Sequence, residues 1–515
     1  MNIVFAFADD WGRYAGAYAK HERSESINRF VSSPHFDRVA REGALFLNAN
    51  VPAPSCTPCR SSILSGQYFW QTGLGAILSG AVWDETIPTY PLELEKSGFH
   101  IGHTYKVWAP GKSANIPYGA RRTAYMSAGI HFGRFSHRAT ERAREIGVEA
   151  AKKELFDEVR GNFDSFMEAR PAGKPFCYWW GPTNTHRTWE PGSGQALWGL
   201  NPDDLQGSLP AFLPDVPEVR EDVCDYLGEC RAFDTGLGVI LQRLEELGEL
   251  DDTLVVISGD HGIPGMPRAK CNLYNIGCEV SLAMRWPGKI KAGRVIEDFV
   301  NLMDLAPTFM EAAGVPIPSS MTGKSLLPLL LDERSGQIDP ERTFVVTGRE
   351  RHVHTARDGM LPYPQRSIHT KEYLYIINFE PDRWPMGVPN GMDDLDAAAP
   401  AYEAIQWETR TVYPDMDASP TKAWMVHHRK EEPVQPLFEL AFGKRPYEEL
   451  YDLRQDPHYM NNVADKAEYA EAKAALNSKL LELLRAQRDP RVVETPCRFE
   501  HAPYAGELQE FQRGR

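Results

Sequence analysis

Long hydrophobic runs are missing: no stretch of these 515 residues approaches the ~18 apolar positions that a membrane-spanning helix needs. Basic residues are in deficit, 56 Lys and Arg against 71 Asp and Glu, for a net charge of −15 and a pI near 5.5. Such a chain is repelled by nucleic acid and by anionic membranes, so neither is expected as a partner, and an anionic substrate would need a positive site assembled locally. Cysteine is sparse, eight in all, which excludes a disulfide scaffold. There is no internal repeat and no low-complexity tract. The chain also starts without basic residues or a small-residue cleavage site, running from Met1 through apolar residues straight into Asp9-Asp10, and the expected location is cytoplasmic.

What is present describes an ordinary globular protein. Hydrophobic residues make up 42%, charged residues 25%, and mean hydropathy is −0.43. Apolar runs at 3–8, 175–181 and 254–258 read as strands covered on both faces, and 44–48 resumes an extended pattern after a short helix over 33–43 ending at Gly43. A helical pattern over 237–247 precedes the third run. This alternation predicts an α/β fold, a large and mostly parallel mixed sheet sandwiched by helices. After about residue 360 the texture changes, with Pro-rich and Gly-rich stretches around a strand-like 373–377 and a helical pattern over 467–484. The expected division is 1–361 for a catalytic domain and 362–515 for a smaller α+β domain with an antiparallel sheet.

The chemistry begins at Asp9-Asp10. Adjacent carboxylates at the carboxyl end of a strand repel each other unless a cation neutralises them, which points to a hard-metal site or to a solvated turn. Next comes Cys56-Thr57-Pro58-Cys59-Arg60, for which three readings compete. A zinc half-site lacks a second Cys-x-x-Cys or paired histidines, and a redox pair lacks a small βαβ setting. The third reading takes in Cys56, Pro58 and Arg60 together with Ser62, Leu64 and Gly66. In that pattern the chain resembles the sulfatases, whose cysteine is oxidised after translation to formylglycine. The likeness extends to 33–43, to Ser258-Gly259-Asp260-His261-Gly262, to Asp304-Leu305-Ala306-Pro307-Thr308 and to 449–457. Within the family, Gly262-Ile263-Pro264 and Cys271-Asn272-Leu273-Tyr274 look most like the heparan N-sulfatase (sulfamidase) subgroup.

The resemblance implies an alkaline-phosphatase-like fold and a set of roles. Asp9, Asp10, Asp260 and His261, completed by an oxygen on residue 56, match the ligands of one divalent cation. An oxygen-rich set favours Ca2+ or Mg2+, and the histidine leaves room for Mn2+. Cys56, converted by a formylglycine-generating enzyme, would give an aldehyde hydrate. One of its hydroxyls attacks sulfur and the other later expels sulfate. Arg60 holds that hydrate; Lys106 and Lys270 contact sulfate oxygens; His186 protonates the leaving group or holds a sulfate oxygen. The chain departs from the family where relatives carry a histidine just after the lysine: here Trp108 and Ala109 stand, with His103 as a substitute candidate. The substrate class implied is a small-molecule or saccharide sulfate. Two alternatives follow, a phosphonate monoester or phosphodiester hydrolase on the same nucleophile, and an inactive sulfatase-like binding protein.

Several residues stay outside that set. His352 and His354, at period two, are expected on one strand face as pocket wall, sheet surface or a metal pair. Trp179 and Trp180 read as core, and Trp189 as core or a loop residue able to stack on a sugar or aryl ring. The cysteines at 177, 224, 230, 271, 278 and 497 read as buried thiols. Loops 111–140 and 187–222 are expected to set specificity, and the polar tail 506–515 could reach a neighbouring subunit of a homo-oligomer.

Overall fold

A computed structural model describes residues 1–113 and 117–504. Its main sheet has seven strands: β1 (Asn2–Ala8), β2 (Ala44–Asn50), β3 (His100–Tyr105), β4 (Phe176–Gly181), β5 (Thr253–Gly259), β6 (Leu282–Arg285) and β7 (Arg294–Asn301). Their order is β3-β4-β1-β5-β6-β2-β7, and every neighbour is parallel except across β6, which runs against β5 and β2. The expected mixed, mostly parallel sheet is therefore present. β1 lies in its interior, between β4 and β5, and successive side chains explain why its run is apolar throughout. Ile3, Phe5 and Phe7 enter the core on one face, while Val4, Ala6 and Ala8 enter the core on the other.

A second, antiparallel sheet of four strands, in the order β11-β10-β9-β8, is formed by β8 (Phe344–Arg349), β9 (Gln365–Thr370), β10 (Tyr373–Asn378) and β11 (Glu448–Asp452). It begins at Phe344, ahead of the 361/362 division expected from composition. The helix Ala470–Ala486 packs on it through Leu476, Leu480 and Leu484. Between β10 and β11 the chain makes a long excursion, 379–447. Its helices Pro420–His428 and Gln435–Phe442 share a core with Cys271, close to the end of β5.

The helix expected over 237–247 is longer, spanning Pro217–Glu246. Its middle carries acids that break the apolar period, yet they are buried because each accepts hydrogen bonds from backbone N–H groups. Asp225 takes Gly192 and Gly194, Glu229 takes Ser136, and Asp234 takes His35 and Phe36. Asp234 thereby satisfies the open N-terminus of the helix Pro34–Glu42.

His352 and His354 are not on a strand. β8 ends at Arg349, and the chain turns away into the short 3-10 helix His354–Ala356. His352 points inward to Ser55, whereas His354 stacks on Tyr504, so they form no pair. Of the two readings of Trp189 the structure takes the core one: it is buried against Tyr226 and the Arg187 guanidinium. Cys497 is half-buried, unlike the other thiols. The tail 506–515 lies outside the described residues.

Candidate active site

Carboxyl ends of parallel strands converge at one place, as an open α/β sheet requires of its site. β1 delivers Asp9 and Asp10, β5 delivers Asp260 and His261, β3 delivers Lys106, and the loop after β4 delivers His186. Beyond β2 the helix Cys56–Ser65 starts with Cys56 in its first turn, and all ten of its residues are buried. Gly66 ends it in the left-handed conformation at φ 64°, donating its N–H to the Ser62 carbonyl. Gly181 is needed for close approach, because a Cβ there would lie 2.0 Å from the Lys106 carbonyl oxygen. Asp10 adopts φ 58°, a strained choice offset by the 2.7 Å hydrogen bond from its N–H to Asp260 Oδ1.

The nine residue roles expected from the sequence fall within one cluster. Arg60 Nη2 donates to Asp9 at 3.0 Å and its Nε to Asp260 at 2.8 Å, while Nη1 takes the carbonyls of Lys106 and Val107. Lys106 Nζ donates to both Asp9 oxygens at 2.7 and 2.8 Å. Lys270 Nζ reaches Asp10 Oδ2 at 2.8 Å and His186 Nε2 at 3.3 Å. His186 Nδ1 donates to the Arg187 carbonyl, which fixes Nε2 as the edge facing Lys270.

The donor set suits a cation. Ligand atoms of Asp10, Cys56, Asp260 and His261 all lie within 4.8 Å of one another. His261 Nδ1 donates to the Gly262 carbonyl, leaving its Nε2 lone pair 3.1 Å from Asp10 Oδ1 and 3.3 Å from Cys56 Sγ. A lone pair aimed at a carboxylate is repulsive unless a positive ion sits between them. Asp9 lies beside this set: its carboxylate pairs with Lys106 and Arg60, and its oxygens also group with Asp10 and His186 as donors that could hold an ion.

Electrostatics follow from burial and pairing. Burial opposes the Asp9 charge, but Lys106 and Arg60 outweigh it and hold the carboxyl well below its usual range. Asp260 goes the other way: burial raises it, although His261 and Arg60 pull it down. Burial, with Asp9 adding to it, pushes the Cys56 thiol well up. Lys270 is desolvated, yet Asp10 and Asp417 keep it firmly protonated.

Four features were not anticipated. Trp108, at the position where the family pattern implied a histidine, donates to Ser61 Oγ at 2.8 Å and packs edge-on against Trp83, a structural role. His103 is engaged with the Ala120 carbonyl and packs edge-on against Tyr118. His352 Nδ1 lies 2.8 Å from Ser55 Oγ, beside Cys56, with its pKa pushed down to about 3 by burial. Asp417, from the 379–447 excursion, pairs with Lys270 at 3.1 Å. Only a bare Asp-Met-Asp, 415–417, marks that place in the sequence, and no local pattern distinguishes it from a solvated loop.

The sulfatase family model matches residues 1–315, and a model described as N-sulphoglucosamine sulphohydrolase, C-terminal, matches 268–384. The N-sulphoglucosamine sulphohydrolase of Homo sapiens is 26% identical over 95% of this chain and 91% of its own length. A solved structure in complex with its substrate D-glucosamine-2-N,6-O-disulfate has a TM-score of 0.60 at 18% identity, covering 96% of this chain and 99% of the other. The phosphonate monoester hydrolase of Agrobacterium radiobacter has a TM-score of 0.63 at 18% identity, covering 94% and 96%. At such identities these structures share the fold alone. Because the family model spans more than half of the sequence and its motif residues meet in one buried cluster, the chain belongs to the sulfatase family and is a sulfuric ester hydrolase.

Proposed function

We propose that this enzyme hydrolyses a saccharide sulfate ester or sulfamate, using formylglycine made from Cys56 by a formylglycine-generating enzyme. The proposed cation is Ca2+, with Mg2+ and Mn2+ as the alternatives that metal analysis separates, held by Asp9, Asp10, Asp260, His261 and residue 56. When bound, the cation supplies the positive charge that acidifies the nucleophile, and the formylglycine hydrate supplies two geminal hydroxyls. The chain's own residues do the rest. Arg60 fixes Asp9 and Asp260 relative to residue 56, and Lys106 and Lys270 flank the volume where sulfate oxygens gain charge. His186 Nε2 exchanges a proton with the departing oxygen or nitrogen, its ring held by the Arg187 carbonyl.

The observation that carries this reading is the convergence of Cys56 with Asp10, Asp260 and His261, ringed by Arg60, Lys106 and Lys270. Saccharides are favoured because the relatives above are named for sulfated glucosamines. Parallel rates on an aryl sulfate and an aryl phosphonate test it. Faster sulfate turnover is expected; a large excess for phosphonate would overturn the substrate class, and inactivity on both with an intact Cys56 thiol would leave a binding protein.

A further inference from the structure

The 379–447 excursion places one carboxylate against the catalytic cluster from outside the main sheet, and nothing in the reaction as described uses it. Asp417 Oδ2 lies 3.1 Å from Lys270 Nζ, and no other donor among the described residues reaches that buried oxygen. Lys270 in turn touches Asp10 and His186, so Asp417 stands across one lysine head from a proposed metal ligand and from the proposed proton donor. Its side chain is 19% exposed, against 0 to 4% for Asp10 and Lys270, so solvent reaches it where it does not reach them.

The loop that carries it is built to stay put. Asp415, two residues earlier, pairs with Arg349 at 2.5 Å and Arg357 at 2.8 Å and accepts the Val353 N–H at 2.9 Å. Lys422, fully buried, donates its Nζ to the carbonyls of Thr409, Tyr413 and Met416 at 3.3, 3.2 and 2.8 Å. Ser419 caps the helix Pro420–His428 and donates to the Gly265 carbonyl. Burying that many charges is costly, and such cost is characteristic of a group that must be held in one place.

We infer that Asp417 is a specificity residue whose carboxylate accepts hydrogen bonds from hydroxyl groups of a sugar leaving group. This rests on the sulfatase reading above. Lys270, His186 and His352 outweigh burial and keep Asp417 ionised, so it is an acceptor only. It repels sulfate oxygens, which places the reacting anion on the Lys106 side and the leaving group on its own. There it rewards neutral hydroxyl donors and disfavours a carboxylate or second sulfate at the same ring position.

The test compares wild type with Asp417→Asn and Asp417→Ala on two probes. One is 4-nitrophenyl sulfate, whose leaving group carries no further hydroxyl. The other is whichever glucose or glucosamine monosulfate wild type turns over fastest. The kcat/KM for the sugar should fall about 10- to 100-fold more than for the aryl sulfate, mostly through KM, with metal content and melting temperature kept. Equal losses on both probes would mean that Asp417 merely holds Lys270, and no loss on the sugar would remove it from the binding site; either result overturns the inference. A wild type that cleaves neither probe would instead bring down the sulfatase reading, and this inference with it.

Discussion

Arg60 Nε donates to Asp260 Oδ2 at 2.8 Å, with neither side chain exposed to solvent. The same guanidinium takes Asp9, so one side chain ties the ends of the two central strands to the helix that carries Cys56. Removing it leaves two buried carboxylates facing each other. Arg60→Ala should lower stability by about 3–5 kcal/mol in urea unfolding of chelator-treated protein. Added Ca2+ should recover part of that loss, since a cation replaces some of the missing charge. A change within about 0.5 kcal/mol would contradict the pairing.

Asp260→Ala removes a carboxylate shared by the backbone of Asp10, Arg60 and the proposed cation. Metal analysis after dialysis should find the variant depleted relative to wild type, and turnover of an aryl sulfate should drop by at least about 100-fold. Near-normal activity in this variant would refute the metal assignment.

Cys59 is three residues from Cys56 on the same helix and is fully buried in the main core. Cys59→Ala should cost about 1 kcal/mol of stability from the lost sulfur contacts and leave kcat/KM almost unchanged. A total loss of activity would revive the reading of Cys56 and Cys59 as a redox pair.

Glu229 supplies a pH dependence with a definite sign. Burial, only partly offset by hydrogen bonds from Ser136 and Asn184, raises its pKa from 4.5 to about 7. An acid raised on folding binds its proton more tightly in the native state. Its contribution to stability is therefore fully present below about 4.5 and is lost as pH rises through about 7. Glu229→Gln has no proton to lose, so its urea midpoint should vary less with pH across that window than wild type. An unchanged slope would show that other groups set it.

How much of this was legible in the sequence depends on whether a feature is local. The strands at 2–8, 176–181 and 253–259 were readable because burial on both faces demands unbroken apolar runs. The site motif was readable because Cys56, Pro58, Arg60, Ser62, Leu64 and Gly66 lie in one contiguous run that matches the sulfatase pattern. The stretch of the helix Pro217–Glu246 before residue 237 was not, because Asp225, Glu229 and Asp234 sit inside by accepting hydrogen bonds from distant segments. The alternation of His352 and His354 misled for a related reason: β8 stops at Arg349, and period two has no meaning beyond a strand end. Asp417 was invisible, since its role depends on where the 379–447 excursion lands and not on its neighbours in sequence.

The central claim is that residue 56 reacts as an aldehyde and not as a thiol. A thiol at this position has no second hydroxyl with which to expel sulfate from the covalent adduct, so the cysteine as encoded could not complete the cycle by the proposed route. The mass of the proteolytic peptide containing residue 56, taken from an active preparation, is the most direct test. The account predicts the lighter mass of a side chain in which CH2–SH has become CHO, in proportion to specific activity. A fully active enzyme whose peptide carries only the intact cysteine mass would contradict it.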